Sequence, residues 1–148
     1  MMNDARTSDL ERWLRTTGQT IDTEFDAPRA LTERLRFVAQ LLADIGSPVV
    51  GPALALRTAS GLAIAVPIDG ELVVGRETPA KLVLDDRRLS KQHFRIRLAD
   101  NGPILEDLKS RNGTYVNGVK TRQCLLRDGN IIEAGSHVFV FLDRMMSL

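Results

Sequence analysis

Three short segments concentrate the polar chemistry of this 148-residue sequence: Gly75-Arg76, Asp86-Arg87-Arg88-Leu89-Ser90-Lys91-Gln92-His93, and Ser110-Arg111-Asn112-Gly113-Thr114-Tyr115-Val116-Asn117-Gly118. They supply guanidinium groups, a hydroxyl, an ammonium and a primary amide. That set answers a phosphate dianion, which carries about −1.5 to −2 charge at neutral pH and presents several strong acceptor oxygens. An anion site is therefore the physical reading, and it needs no catalytic apparatus. Ser90 and His93, three residues apart, invite a hydrolase reading. No Gly-x-Ser-x-Gly elbow surrounds Ser90, however, and no acidic partner for His93 is indicated.

Charge supports a local site over a diffuse one. The chain holds 20 basic and 19 acidic residues, a formal balance of +1, so a nucleic-acid footprint is not expected. Residues 1–45 carry six basic and eight acidic residues, whereas the stretch from Arg87 to Arg111 carries seven basic and three acidic ones. Cys124 has no disulfide partner, and His93 with His137 cannot alone complete a closed zinc site, so no metal and no cofactor are expected. No run approaches the roughly 18 apolar residues of a membrane span, and Met1-Met2-Asn3-Asp4 lacks the order of a signal peptide. A cytoplasmic protein is the expectation.

The elements that position these residues change character along the chain. Ser8-Asp9-Leu10-Glu11 has capping-box spacing, with Leu10, Trp13 and Leu14 on one face and Gly18 as a stop, which predicts a first helix. Asp26 ahead of Pro28, and Gly46 after Ile45, bound a second. Leu31, Leu35, Val38, Leu42 and Ile45 draw an apolar stripe along it. Packing on the rest of the monomer is its ordinary use; a homodimer contact through residues 28–45 is the alternative, although two heptads are few for a coiled coil. Gly46-Ser47-Pro48-Val49-Val50-Gly51-Pro52 then breaks the pattern, dividing a helical extension, 1–46, from a second domain, 53–143.

Beyond the break, short apolar runs alternate with Ser60-Gly61, Asp69-Gly70, Asn101-Gly102, Asn117-Gly118 and Asp128-Gly129, the punctuation of antiparallel β structure. The runs are 53–57, 62–66, 72–74, 82–84, 94–98, 104–108, 115–116, 131–133 and 138–142. Phe94-Arg95-Ile96-Arg97-Leu98 alternates strictly, with three apolar side chains toward a core. Strands without intervening helices favour a mainly β, two-sheet antiparallel sandwich. The chemistry then sits on its loops.

In this order, Gly-Arg, Asp-x-x-Leu-Ser-x-x-His, Ser-Arg-Asn-Gly-Thr-Tyr-Val-Asn-Gly and Asp-Gly-Asn-Ile-Ile, the sequence resembles the forkhead-associated (FHA) domain over roughly residues 53–143. The family is a phosphothreonine-peptide-binding β-sandwich. The resemblance implies that Arg76 and Ser90 contact the ligand phosphate with Lys91 and Arg111 beside it, and that Asn112 grips the ligand main chain. It makes His93 a scaffold residue that holds the serine loop. Gly75 and Gly113 are expected to serve the backbone of the site, with Gly75 freeing the chain before Arg76, and Asn117-Gly118 to form a hairpin turn tolerant of positive φ.

The implied function is a non-enzymatic adaptor that binds a phosphothreonine-containing protein downstream of a Ser/Thr protein kinase. The alternative is a phosphate-independent assembly protein oligomerising through its N-terminal helices. Arg95 and Arg97 are expected on a solvated strand face. Arg87 and Arg88, near the serine loop, could bias the site toward acidic ligands, and Glu77 could oppose that. Thr16, Thr17, Thr20 and Thr23 lie in the interhelical stretch, where a phosphorylated threonine could enter the protein's own site at an effective concentration on the order of millimolar.

Overall fold

The computed structural model describes residues 27–46 and 49–144, with side chains from Thr32 onward. The predicted first helix and the four threonines after it lie outside the described residues. The second helix, α1 (Ala27–Ile45), carries Pro28 in its first turn, where the missing N–H breaks no helical bond. It ends at Gly46, whose φ of 72° turns the chain and whose N–H reaches the Leu42 carbonyl at 3.4 Å.

Eleven strands follow: β1 (Gly51–Arg57), β2 (Ala63–Pro67), β3 (Glu71–Gly75), β4 (Leu82–Val83), β5 (Phe94–Ala99), β6 (Gly102–Asp107), β7 (Thr114–Val116), β8 (Val119–Lys120), β9 (Gln123–Leu125), β10 (Ile131–Ala134) and β11 (His137–Arg144). They form a six-stranded sheet in the order β2-β1-β11-β10-β7-β8 and a five-stranded one in the order β4-β3-β5-β6-β9. The sandwich is the expected one, with two differences. The short strands β8 and β9 were not among the runs read from the sequence, although Cys124-Leu125-Leu126 is apolar. The β3–β4 pair is parallel, Val74 opposite Leu82, in an otherwise antiparallel fold.

The core lies between the sheets. Leu54 and Leu56 of β1, Phe139 and Phe141 of β11, Ile132 of β10, and Phe94 and Ile96 of β5 are all fully buried there. Phe94 and Phe139 meet edge to face with centroids 5.4 Å apart. Register locks this arrangement, because Leu54 faces Phe141 and a one-residue slip of β1 would turn Leu54 and Leu56 outward.

The alternate residues of β1 and β11 point the other way and are buried as well. Ala55, Val140 and Leu142 pack against Leu41 of α1, which is fully buried, with Phe37, Val38, Leu42 and Ile45 around it. Thus α1 lies on the outer face of the first sheet. The helix contact is centred one position away from the stripe read off the sequence: Leu41 and Phe37 carry it together with Val38, Leu42 and Ile45. Two ion pairs fasten the helix, Arg34 Nε to Glu133 Oε1 at 2.9 Å near its middle and Arg57 Nη2 to Asp44 Oδ2 at 2.6 Å near its C-terminal end.

The outer face of the second sheet is charged. Arg95 pairs with Glu71 at 3.1 Å and Glu106 at 2.8 Å, and Arg97 reaches the same Glu106 oxygen at 3.1 Å. Both arginines lie on the polar strand face where they were expected, and there they are members of a cross-strand ladder. Hydrogen bonds from Arg97 and then Arg95 hold the Glu106 carboxyl below its ordinary pKa, against a smaller opposing effect of burial.

Candidate functional site

The three polar loops meet at one rim of the sandwich. At the end of β3 the Arg76 N–H donates to the carbonyls of Ser90 (3.0 Å) and Lys91 (3.1 Å), which joins the arginine to the serine loop. Across the rim, the Arg111 N–H donates to Ser90 Oγ at 2.9 Å, and the Asn112 amide donates to the Arg88 carbonyl at 2.9 Å. Arg76, Ser90, Lys91, Arg111 and Asn112, spread over 37 positions of sequence, therefore share one edge.

Gly75 is required here for space. Its φ is not positive, but a Cβ would stand 2.0 Å from the Lys91 carbonyl oxygen and 2.8 Å from its carbon. Both contacts are with backbone, so no side chain can move aside. The expectation that Gly75 frees the backbone is corrected: it lets the end of β3 lie close against the backbone of Lys91. Gly113 does need its left-handed φ of 87°.

His93 is fully buried, and both ring nitrogens are used. Nδ1 accepts from the Ser90 N–H at 3.0 Å, which places the ring proton on Nε2, and Nε2 donates to the Gly113 carbonyl at 2.8 Å. The imidazole thus ties the serine loop to the 110–114 loop through backbone groups. It makes no bond to Ser90 Oγ, so the Ser90/His93 spacing does not assemble a nucleophile and its base.

Two buried or part-buried carboxylates, to which the sequence assigned no role, hold the loops from beneath. Asp86 Oδ1 accepts from the Arg88 N–H at 2.9 Å, while Oδ2 accepts from the Ser136 N–H at 2.8 Å and from His137 Nδ1 at 2.9 Å. Burial would raise its pKa, but the Ser136 and Arg88 amides and then His137 hold it below the ordinary carboxylate value. Asp107 likewise takes hydrogen bonds from Ser110 Oγ (2.6 Å), the Ser110 N–H (3.0 Å) and Thr114 Oγ1 (2.7 Å). Burial again opposes these bonds, and they win, leaving that pKa lowered. Asp86 is the first residue of the Asp-x-x-Leu-Ser pattern, the one signal that could have singled it out.

Asn117 and Gly118, with φ of 51° and 85°, close the β7–β8 hairpin. Asn117 Oδ1 accepts from the Ile131 N–H at 2.8 Å and so braces β10, while Gly118 lines a groove beside Arg88 and Asn112.

Chemically the rim is a cluster of donors. Among the described residues, Lys91 has one ion-pair contact, long and exposed, at 3.8 Å from Glu77. Among the described residues, the guanidinium groups of Arg76, Arg87, Arg88 and Arg111 make no ion pair, and Arg76 Nε is buried without a hydrogen-bond acceptor. Cationic donors fixed by backbone bonds suit an anion with several oxygens.

The chain is similar to known proteins. The FHA domain family model matches residues 72–135. FhaA of Mycobacterium tuberculosis is 36% identical over 67 residues, which is 45% of this chain and 13% of that protein. The glycogen accumulation regulator GarA of the same organism is 35% identical over 68 residues, 46% of this chain and 42% of GarA. The chain thus spans less than half the length of the curated relatives it matches. Among solved structures, a domain studied for phosphothreonine-dependent FHA domain interactions is 31% identical with a TM-score of 0.56. That likeness covers 67% of this chain and 100% of that one.

Proposed function

The chain belongs to the FHA family, and from that premise we propose that it is a binding module, not an enzyme, whose rim holds a phosphothreonine-bearing segment of a partner protein. Arg76 offers a fork of donors to the phosphate and Ser90 a hydroxyl. Lys91 and Arg111 add charge beside it. Asn112, whose amide can donate to a carbonyl and accept from an N–H, sets the register of the ligand main chain.

The observation that carries this reading is the convergence itself: the Arg76 amide bonded to the serine loop, and Ser90 Oγ bonded to the Arg111 amide. A Ser/Thr kinase would create the ligand. Its need for ATP, together with a single unpaired cysteine, favours the cytoplasm. No helix among the described residues is long and apolar enough to cross a membrane.

The rival, phosphate-independent assembly through the N-terminal helices, loses support at residues 28–45, because α1 packs apolar side chains on its own sheet. Calorimetry with a phosphothreonine peptide tests the proposal. Arg76→Ala or Ser90→Ala should each weaken binding about ten- to a hundredfold, the loss of a charge-assisted contact of about 1.5–3 kcal/mol. The unphosphorylated peptide should not bind. Equal binding by the variants and the parent protein would overturn the assignment.

A further inference from the structure

Where the chain leaves β8, the edge of the first sheet, and enters β9, the edge of the second, it borders a cavity of about 740 Å³. None of the rim residues Arg76, Ser90, Lys91, Arg111 and Asn112 lines it, so it is a separate place on the molecule. Three cations do line it: Lys109 after β6, Lys120 at the end of β8, and Arg122 just before β9. Among the described residues, none of the three has an ion-pair partner. The two carboxylates of the same wall are already engaged. Glu106 is held by Arg95 at 2.8 Å and Arg97 at 3.1 Å, and Asp107 accepts from Ser110 and Thr114. The unanswered charge in this cavity is therefore positive.

We propose that this cavity is a second anion site, for a compact small molecule bearing two or more phosphate or carboxylate groups. Its backbone frame is fixed before any ligand arrives: the Asp107 N–H donates to the Arg122 carbonyl at 2.8 Å, and the Thr121 N–H to the Thr114 carbonyl at 2.9 Å. Lys109 holds a φ of 56°, uncommon for a residue other than glycine, and the lysine so placed lines the cavity. Lys120 comes from another segment, its chain running past Gly113, where an added Cβ would stand 2.9 Å from Lys120 Cε. Two ammonium groups and one guanidinium, arriving from separate segments, answer several anionic groups on one ligand. Size and lining narrow the class further. The volume lies within the roughly 300–1,000 Å³ of small-molecule sites. Among the described residues, no aromatic side chain lines the cavity for a nucleobase to stack on, whereas Thr121 and Gln123 add neutral hydrogen-bonding groups.

The test uses the full chain carrying Arg76→Ala, which disables the rim, and two probes, tripolyphosphate and citrate, at constant ionic strength. Amide NMR should show saturable shifts at Lys109, Lys120, Arg122 and Gln123, and the tighter probe assigns the ligand's groups as phosphate or carboxylate. Acetate, with a single charge, should bind at least tenfold more weakly. Lys109→Gln with Lys120→Gln, both at exposed side chains, should weaken the tighter probe at least tenfold with the urea midpoint unchanged. Arg122→Gln, a change outside the strands, should weaken it severalfold, so that a fold effect at Lys109 does not decide the outcome. Lys81→Gln, at an exposed lysine away from the cavity, should leave it unchanged. Shifts seen in the parent chain but absent from the Arg76→Ala chain would put the anion at the rim and overturn the proposal. Unsaturable shifts spread over surface lysines including Lys81, the mark of diffuse screening, would overturn it too, as would undiminished binding by the Lys109 and Lys120 double variant. With the rim disabled throughout, the outcome is independent of the phosphothreonine reading.

Discussion

The outer faces of the two sheets obey the same alternation and end in opposite ways. On the first sheet, Ala55, Val140 and Leu142 point outward and are buried under Leu41 of α1. On the second, Glu71, Arg95, Arg97 and Glu106 point outward and form a charged ladder facing water. A strand with one apolar face needs only the opposing sheet, whereas one with two must be covered twice. The difference teaches that α1 belongs to the folded body, although it precedes the sandwich in sequence and lies across the Gly46–Pro52 break.

The largest effect should come from the covered face. Leu41→Ala removes the centre of the helix contact, a change that costs about 2–5 kcal/mol at fully buried leucines. Urea denaturation measures it, and a loss well under 1 kcal/mol would mean that the helix does not cover the sheet in solution.

Acid should separate the apolar contact from the polar rim next. Asp86 and Asp107 have folded pKa values below their ordinary ones, so their contribution is complete above about pH 4, the unfolded value, and is lost as pH falls through the lower folded value. The urea midpoint should fall between neutral pH and pH 3. Asp86→Asn should flatten that acid limb while lowering stability at pH 7 by about 1–3 kcal/mol, since amide partners lose a charged acceptor. An unchanged acid limb would contradict the role given to Asp86.

The smallest effect belongs to the open face. Arg95→Ala breaks contacts that are partly exposed, and such pairs are worth about 0–1 kcal/mol. A loss as large as that of Leu41→Ala would erase the contrast between the faces.

Much of this was legible in the sequence for physical reasons. Alternation at Phe94–Leu98 fixed which residues enter the core, and Gly46 marked the helix end because it turns the chain at positive φ. The family motifs located the rim. The rest depended on contacts that pattern does not encode. The pair Val119–Lys120 is too short for periodicity to register, and in β9 only Cys124 is half-buried, while the apolar Leu125 beside it stands exposed. The centre of the helix face at Leu41 was displaced because several apolar arcs were available on that helix. One signal went unread: Ala53–Leu56 and Phe139–Leu142 are apolar at every position, as strands buried on both sides are. Gly75 looked like a conformational glycine, and only the 2.0 Å approach to the Lys91 carbonyl shows that the need is steric.

The central claim, that one rim of the sandwich holds the phosphothreonine, is tested most directly by amide NMR of the full chain titrated with a phosphothreonine peptide. The backbone signals of Arg76, Ser90, Lys91, Arg111 and Asn112 should shift together and saturate with one affinity, while those of Val73, Arg97 and Ile104 on the open face of the second sheet stay in place. Shifts confined to that open face, or identical shifts with the unphosphorylated peptide, would contradict it.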